Sequence, residues 1–428
     1  MSAKAIAKNT YPLDSMALSL PYAPVRKSSP LVFRLTVTLT EEIDPAALGR
    51  AVRDLAPRFP IMYTRFRPGF IWGALEDAAD LDVVRADRGA PCRPFRVGEG
   101  EKPLLRVLYR GREMGIECTH LTCDGHGGAV YLNSLAARYL ELRGHAIEKS
   151  GNVLDCRDRP DESELEDCYR AASRRDKRMK FGRMVDPPAF MYRQARNSDT
   201  LRVTKLDIPI DALKGLIAEK YDGCTITNYL CAVYTCAFLG LYKQNPSRKK
   251  PVRISVATDL RNLWGTRTLR NFVGYAHVNM EPGRREYGFR EVLAAVRGEM
   301  EEQITLERQQ KLVCQNIRYL DYFVMKFIPG FLKRAGAFVV LPAAERWRWP
   351  HTSTISNVGY INLPPSLARH IEKYTFLMGE MRGSCITCTA AGCRNTMTVA
   401  FTAVNESTVI QDFCADFLRR DGLSVVVY

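Results

Sequence analysis

The segment from Thr119 to Gly128 holds the greatest concentration of residues that could do chemistry. It reads THLTCDGHGG and places His120 at the end of a predicted strand, four residues before Asp124 and five before Gly125. A histidine titrates near neutral pH, so it can take a proton from a nucleophile and return it later. Asp124 could orient the imidazole or lock the loop, and the glycines permit a tight turn. The pattern predicts a general base at His120.

Other roles fit the same residues. A single histidine at a strand end is often structural, and Asp-Gly is a common turn, so spacing alone favours neither role for His120. His120, Asp124 and His126 could bind a metal, but no further ligand follows with zinc-like spacing. The CxxC pair of Cys385 and Cys388 also lacks a second pair of ligands. We therefore expect no metal site.

The elements around the motif predict an α+β fold. Asp44 and Pro45 should begin a helix after a first strand, and Asp211 should cap a helix in the second half. Strand pairs dominate the last third of the chain. We expect two halves of similar build, residues 1–160 and 201–428, each a sheet with packed helices. The polar, charge-rich segment 161–200 reads as the linker or crossover between them.

Composition limits the class of protein. With 428 residues, 46% of them hydrophobic, the chain is long enough for two domains. It contains no apolar run of about 18 residues, and its N-terminus lacks the apolar core of a secretion signal. Thirteen scattered cysteines are typical of a reducing compartment. These observations predict a soluble, cytoplasmic protein.

The formal charge of +15 favours anionic partners but does not distinguish among them. A basic run at 174–180 has no nucleic-acid motif beside it, so we expect no nucleic-acid partner. The segment 317–341 combines aromatic and aliphatic residues with interspersed basic ones, among them Lys326, Lys333 and Arg334. It could contact a membrane surface or a hydrophobic acceptor substrate. A helix packed on the second half is the favoured interpretation, because apolar stripes usually belong to a core.

Several motifs in the same order give the chain a family resemblance. HLTCDG with its following apolar helix resembles the HxxxDG motif of the chloramphenicol-acetyltransferase-like superfamily. YPLDSM near the N-terminus, VATDLRNLWGTRTLRNFVGYAHVNM in the centre and STISNVGYINLP near residue 356 are similar to further motifs of these proteins. The similarity runs from about residue 11 to 405. The alcohol acetyltransferase branch is the best match: Thr119 replaces the first histidine of many condensation domains, and the DFGWG motif of plant BAHD acyltransferases is missing.

The resemblance implies two like-folded sandwich domains with a tunnel between them, and a transfer of an acyl group from a thioester to an alcohol or amine. His120 would be the base, Asp124 a mainly structural residue paired with an arginine such as Arg261, and Gly125 the turn residue. Further residues would have roles at the tunnel. These are Ser356 and Asn357, as oxyanion donors or lining. Apart from the resemblance, Asn271, Gly274 and Asn279 either shape the tunnel between the halves or are ordinary turn and strand residues, and the sequence favours neither role.

The resemblance further implies a coenzyme A thioester as the donor substrate, no permanently bound cofactor, and a hydrophobic alcohol or amine as acceptor. A condensation-like enzyme that takes its acyl group from an acyl carrier protein is the first alternative. A non-catalytic binding protein of the same fold is the second. The sequence does not specify acyl chain length, acceptor identity or oligomeric state.

Overall fold

A computed structural model of the protein describes residues 9–22, 32–78, 80–95, 102–174, 187–192, 201–243, 250–281, 286–320, 327–347, 349–380 and 384–428. Helices and sheets are mixed along the whole of this part of the chain, which confirms the predicted α+β class. Most of the basic run at 174–180, and residues 321–326 of the apolar segment, lie outside the described residues.

A five-stranded sheet carries the first half of the protein. In spatial order its strands are β12 (Ile371–Met378), β2 (Val32–Leu39), β7 (Glu113–Thr119), β6 (Leu105–Arg110) and β5 (Val84–Ala86). Helices α1 (Pro45–Leu55) and α2 (Gly125–Leu142) pack on it and on each other. Asp44 caps α1 and Pro45 follows in its first turn, as predicted. Gly144, just after α2, has a left-handed φ of 95°, the conformation of a helix-ending glycine.

A seven-stranded sheet carries the second half. In spatial order its strands are β10 (Val273–Met280), β9 (Val252–Asp259), β11 (Ser353–Tyr360), β13 (Ile386–Cys393), β14 (Thr396–Ala403), β8 (Arg202–Pro209) and β15 (Val426–Val427). A smaller sheet is formed by β1 (Thr10–Pro12), β4 (Ala74–Asp77) and β3 (Thr64–Arg67). One core lies between the large sheet and its helices, and a second lies around the five-stranded sheet.

One strand crosses between the halves. β12 comes late in the chain, yet it pairs antiparallel with β2 along Phe33–Leu39 and so belongs to the first sheet. It also packs against β13 and β14 of the second sheet. Sequence reasoning assigned this strand to the second half, because nothing in its own residues specifies a distant partner. The boundary near residue 200 stays a prediction. β12 lies on the C-terminal side of that boundary in the sequence, but it pairs with a strand of the N-terminal side.

The remaining α-helices of the described residues lie from Cys168 onwards. They are α3 (Cys168–Ser173), α4 (Ile210–Lys220), α5 (Ile226–Lys243), α6 (Arg261–Trp264), α7 (Phe289–Gln303), α8 (Leu306–Leu320), α9 (Gly330–Trp347), α10 (Pro365–Ala368) and α11 (Val409–Arg420). The prediction that Asp211 caps α4 is wrong. The cap position is Pro209, and Asp211 lies in the first turn, where its charge still favours the helix dipole.

The packing of α9 differs from the expected burial on the second half. Its Lys333 ammonium lies 3.1 Å from the ring centre of Trp72 and donates to the Ile71 carbonyl, on the first half. Phe331 and Val339 are 67% and 73% exposed. Helices α5 and α7 pack against β9 and β10. Among the described helices, none is long and apolar enough to cross a membrane.

Candidate active site

The site begins where β7 ends. His120 directly follows this strand, and three further residues lead to Asp124, which caps α2 with its backbone extended. The Asp124 Oδ1 accepts a hydrogen bond from the Gly127 amide at 3.1 Å, which satisfies one of the free donors of the first helical turn. The strand end and the helix start therefore fix the short loop between them from both sides.

Arg261 is the arginine that pairs with Asp124. Its Nη2 lies 3.0 Å and 2.9 Å from the two carboxylate oxygens, and both side chains are at least 95% buried. The guanidinium also donates to the carbonyls of Thr268 and Arg270, and the Asp124 Oδ2 accepts from the Phe272 amide. Burial would raise the pKa of Asp124, but Arg261 and these hydrogen bonds outweigh it and lower that pKa. Asp124 thus joins the α2 loop to segment 261–272.

The same segment reaches His120. The Asn271 Oδ1 lies 3.0 Å from the His120 Nδ1, and the Asn271 Nδ2 donates to the His120 carbonyl at 2.8 Å. That Nδ2 also donates to Asp14 from the N-terminal segment, at 2.8 Å. The Phe33 ring packs beside the imidazole, with ring centres 5.1 Å apart. These contacts fix the histidine on three sides.

The environment of His120 keeps its ring neutral near pH 7. Burial lowers the pKa of His120, although Asn271, the charge of Asp124 and the Cys123 backbone act in the opposite direction. A neutral imidazole has one nitrogen that can accept a proton. Because Nδ1 faces Asn271, Nε2 is the ring nitrogen without a side-chain hydrogen bond among the described residues. The site therefore has the protonation state that general-base chemistry needs.

A cavity of about 480 Å³ opens beside His120. It has the size of a pocket for a small molecule. Its walls come from both large sheets and from α2. They include Met16, Val32, Phe33, Gly125, His126, Ala129, Asn133, Ala257, Val273, Tyr275, Thr354, Ser356, Val358, Ile361, Phe376 and Met378. Most of these side chains are apolar. The imidazole is thus presented to a space shared by the two halves.

Ser356 and Asn357 both line this cavity from β11, but their side chains differ. The Asn357 Nδ2 donates to Thr227 at 3.0 Å, and its Oδ1 accepts from the Gly359 amide at 2.8 Å. Both ends of that amide are therefore engaged within the protein. The half-buried Ser356 hydroxyl forms no hydrogen bond with the part of the chain that the structure describes, so it is free to bind a ligand.

The glycines of the motif act differently from the expected turn. Gly125 lies in the first turn of α2 without a left-handed φ, and a Cβ there would meet the Val358 side chain at 3.3 Å. At Gly127 a Cβ would lie 2.0 Å from the Leu269 carbonyl oxygen, which leaves no room for it. Gly127, rather than Gly125, is the position where only glycine lets α2 approach segment 261–272.

The other residues predicted between the halves lie away from the cavity lining. A Cβ on Gly274 would meet the Gln309 side chain of α8 at 2.1 Å, so this glycine permits strand–helix packing. Asn279 accepts a hydrogen bond from Arg253 and donates to the His277 carbonyl. Of the three predicted residues, the structure brings only Asn271 to His120.

Sequence reasoning missed three contributors to the site. Asp14 was visible only as part of YPLDSM, and Phe33 only as an alternating strand residue. His126 was considered as a metal ligand, but it lines the cavity with its Nδ1 3.6 Å from Asp259. The sequence signal for Asp14 was a charged residue within the otherwise uncharged and largely apolar segment 11–22.

The cysteines do not assemble a further site. Cys388 lies in the second core, whereas Cys385 packs against the first core, which also contains Cys393, so the CxxC pattern does not converge on one point. None of the thirteen cysteines, all of which lie in the described residues, forms a disulfide. Among the residues that the structure describes, no group of three His, Cys, Asp or Glu side chains is placed to hold a metal ion.

Comparison with solved structures shows what this fold resembles. The TRI101 protein of F. sporotrichioides, crystallised with coenzyme A and T-2, matches at a TM-score of 0.62 and 11% identity, over 97% of this chain and 99% of that one. Polyketide synthase associated protein 5 from Mycobacterium tuberculosis matches at 0.57 and 16% identity, over 91% and 93%. These identities show a common fold alone.

A third neighbour is the starter condensation domain of rhizomide synthetase, solved with C8-CoA and Leu-SNAC. It matches at a TM-score of 0.59 and 12% identity, over 96% of this chain and 93% of that one. No protein-family model matches the sequence. No curated protein matches it either. The likeness is therefore one of whole-chain architecture.

Proposed function

We propose that this protein is an acyltransferase that moves an acyl group from a coenzyme A thioester to a hydroxyl or amine, with His120 as the general base. The observation that carries the proposal is the neutral imidazole at the shared cavity, with Nδ1 occupied by Asn271 and Nε2 left for a substrate. Solved structures of the same fold hold coenzyme A or an acyl-CoA, which supports this donor.

The reaction balances on these residues. The acceptor oxygen or nitrogen attacks the thioester carbonyl while its proton passes to the His120 Nε2. The carbonyl oxygen gains the negative charge, and we assign its stabilisation to the Ser356 hydroxyl, which lines the same cavity. When the C–S bond breaks, the proton on His120 passes to the thiolate, and the imidazole returns to its neutral form.

The acceptor we propose is a largely apolar alcohol or amine. The cavity walls are dominated by side chains such as Phe33, Phe376 and Met378, which favour a hydrophobic ligand. Two buried polar groups of the lining, the Asn133 amide and the Thr354 hydroxyl, have no partner among the described residues. A ligand with a hydrogen-bonding group would satisfy such a group. The tunnel by which donor and acceptor enter from opposite sides is part of the proposal.

The test is release of free thiol from acetyl-, hexanoyl- and palmitoyl-CoA, with decanol or decylamine as acceptor. His120→Ala should reduce turnover by about 10²–10⁴-fold. His126→Ala is the matched control, because this second histidine lines the same cavity but lies by Asp259, away from Asn271. Equal losses in the two variants, or full activity of His120→Ala, would remove His120 as the base.

Two further outcomes address the alternatives. Thiol release only from acyl groups on a carrier protein would assign the donor of a condensation-like enzyme. No cleavage of either thioester would leave a binding protein that retains the fold.

A further inference from the structure

We propose that Asn271 and Asp14 are positioning residues that fix which nitrogen of His120 carries the hydrogen. Asn271 accepts a hydrogen bond from Nδ1, so the free lone pair is on Nε2, and Asp14 holds the Asn271 amide in that orientation. This inference rests on the proposed function, because it explains how the base is prepared before any substrate binds.

The orientation of the Asn271 amide follows from its partners. Its Nδ2 lies 2.8 Å from the His120 carbonyl oxygen and 2.8 Å from the Asp14 Oδ2. A carbonyl and a carboxylate oxygen can only accept, so the atom facing both must be the donating NH₂ group. The opposite end of the amide is then Oδ1, which only accepts. The His120 Nδ1, 3.0 Å away, must donate to it.

The contacts of Asp14 hold its carboxylate against the Asn271 amide. It is fully buried, its Oδ1 accepts from the Ala17 amide at 2.9 Å, and its Oδ2 faces both the side chain and the backbone amide of Asn271. Arg270 is the near cation, with its Nε 3.6 Å from Oδ2. A carboxylate buried at such cost is stable only where several donors converge on it.

The other charged and titratable groups around Asp14 leave this assignment unchanged. Asp167 and Tyr169 also interact with its charge, and both come from α3 or the residue that caps it. Asp167 binds Ser15 through the backbone amide at 3.0 Å and through the hydroxyl at 2.7 Å. It therefore anchors the same N-terminal segment without a hydrogen bond to Asn271. This makes Asp167 the natural control.

The fixed ring form matters because the two neutral forms of imidazole differ in function. With the hydrogen on Nδ1, Nε2 can accept the acceptor's proton. With the hydrogen on Nε2, that nitrogen cannot act as a base until the ring rearranges. Holding the useful form in advance removes this step from each turnover.

The direct test is ¹⁵N NMR of the full chain with labelled histidine, at a pH where the ring is neutral and without substrate. The His120 signals are assigned by their loss in His120→Gln. In the wild type, Nδ1 should resonate as a protonated nitrogen and Nε2 as an unprotonated one. Asn271→Ala should give a mixture of both forms. Asp14→Ala should shift the population in the same direction but less, since the His120 carbonyl still orients the amide.

Asp167→Ala should loosen the N-terminal segment but leave the nitrogen signals of His120 as in the wild type. In the thiol-release assay, Asn271→Ala should lower kcat by about 10²-fold while KM changes by less than about threefold. A wild-type ring with its hydrogen on Nε2 would overturn the proposal. So would an unchanged ring form in both Asn271→Ala and Asp14→Ala. Because the NMR measurement needs no substrate, it stands apart from failure of the proposed reaction.

Discussion

The Arg261 Nη2 donates to the Asp124 Oδ1 and lies 2.9 Å from Oδ2, and this buried pair joins a helix on the first sheet to the segment between two strands of the second. Breaking a buried pair leaves an uncompensated charge and costs about 3–5 kcal/mol. Asp124→Asn should therefore lower the free energy of unfolding by about that much, measured by urea denaturation. It should also lower the rate, because segment 261–272 carries Asn271.

A matched control separates burial from charge. Arg112 and Glu372 form an ion pair at 2.6 Å in which both side chains are at least 40% exposed. Arg112→Gln should change the unfolding free energy by less than about 1 kcal/mol. If Asp124→Asn lowers the free energy of unfolding no more than Arg112→Gln does, the buried Asp124–Arg261 pair does not stabilise the fold.

Gly127→Ala should damage the site although it adds a single methyl group. The new Cβ would overlap the Leu269 carbonyl oxygen, so α2 and the segment that carries Asn271 must separate. Both the melting temperature and the thiol-release rate should fall. Gly215→Ala, on the exposed side of α4 with open space around it, is the control and should stabilise the protein by up to about 1 kcal/mol. A Gly127→Ala protein with unchanged stability and rate would contradict the close approach.

The rate should depend on pH through His120. Because burial lowers the pKa of His120 from its ordinary value of 6.5, the neutral base should persist into mildly acidic solution. A plot of kcat/KM against pH should show a rising limb with its midpoint below pH 6.5, followed by a plateau that extends through pH 8. His126→Ala should keep the rising limb. A midpoint above 7 would mean that another group is the base or that the ring is more solvated than the structure shows.

Ser356 and Asn357 should respond to truncation in opposite ways. Ser356→Ala removes a hydroxyl without a described protein partner, so the melting temperature should hold while kcat falls by about 10²–10³-fold. Asn357→Ala removes the hydrogen bonds to Thr227 and Gly359, so it should lower the melting temperature. Calorimetry and the thiol-release assay on both variants provide the check. Undiminished kcat in Ser356→Ala would exclude this hydroxyl as the oxyanion donor.

Local patterns determined much of the architecture. The mixed α+β class, the strand that ends at His120, the helix after it and the cap at Asp44 all follow from periodicity, capping and turn chemistry, which act within a few residues. The sequence also singled out His120 and Asp124 as the residues to examine, because their types and spacing are visible in a ten-residue stretch.

Only the tertiary structure decided which distant residues meet them. It placed β12 in the first sheet, brought Asp14 and Asn271 to His120, and engaged the Asn357 amide with Thr227 and Gly359. It also showed that Gly127 is the sterically restricted glycine. Such contacts depend on how sheets and helices pack across more than a hundred residues of chain. No local pattern encodes that packing, so the positions that orient the base emerge only when the two halves meet.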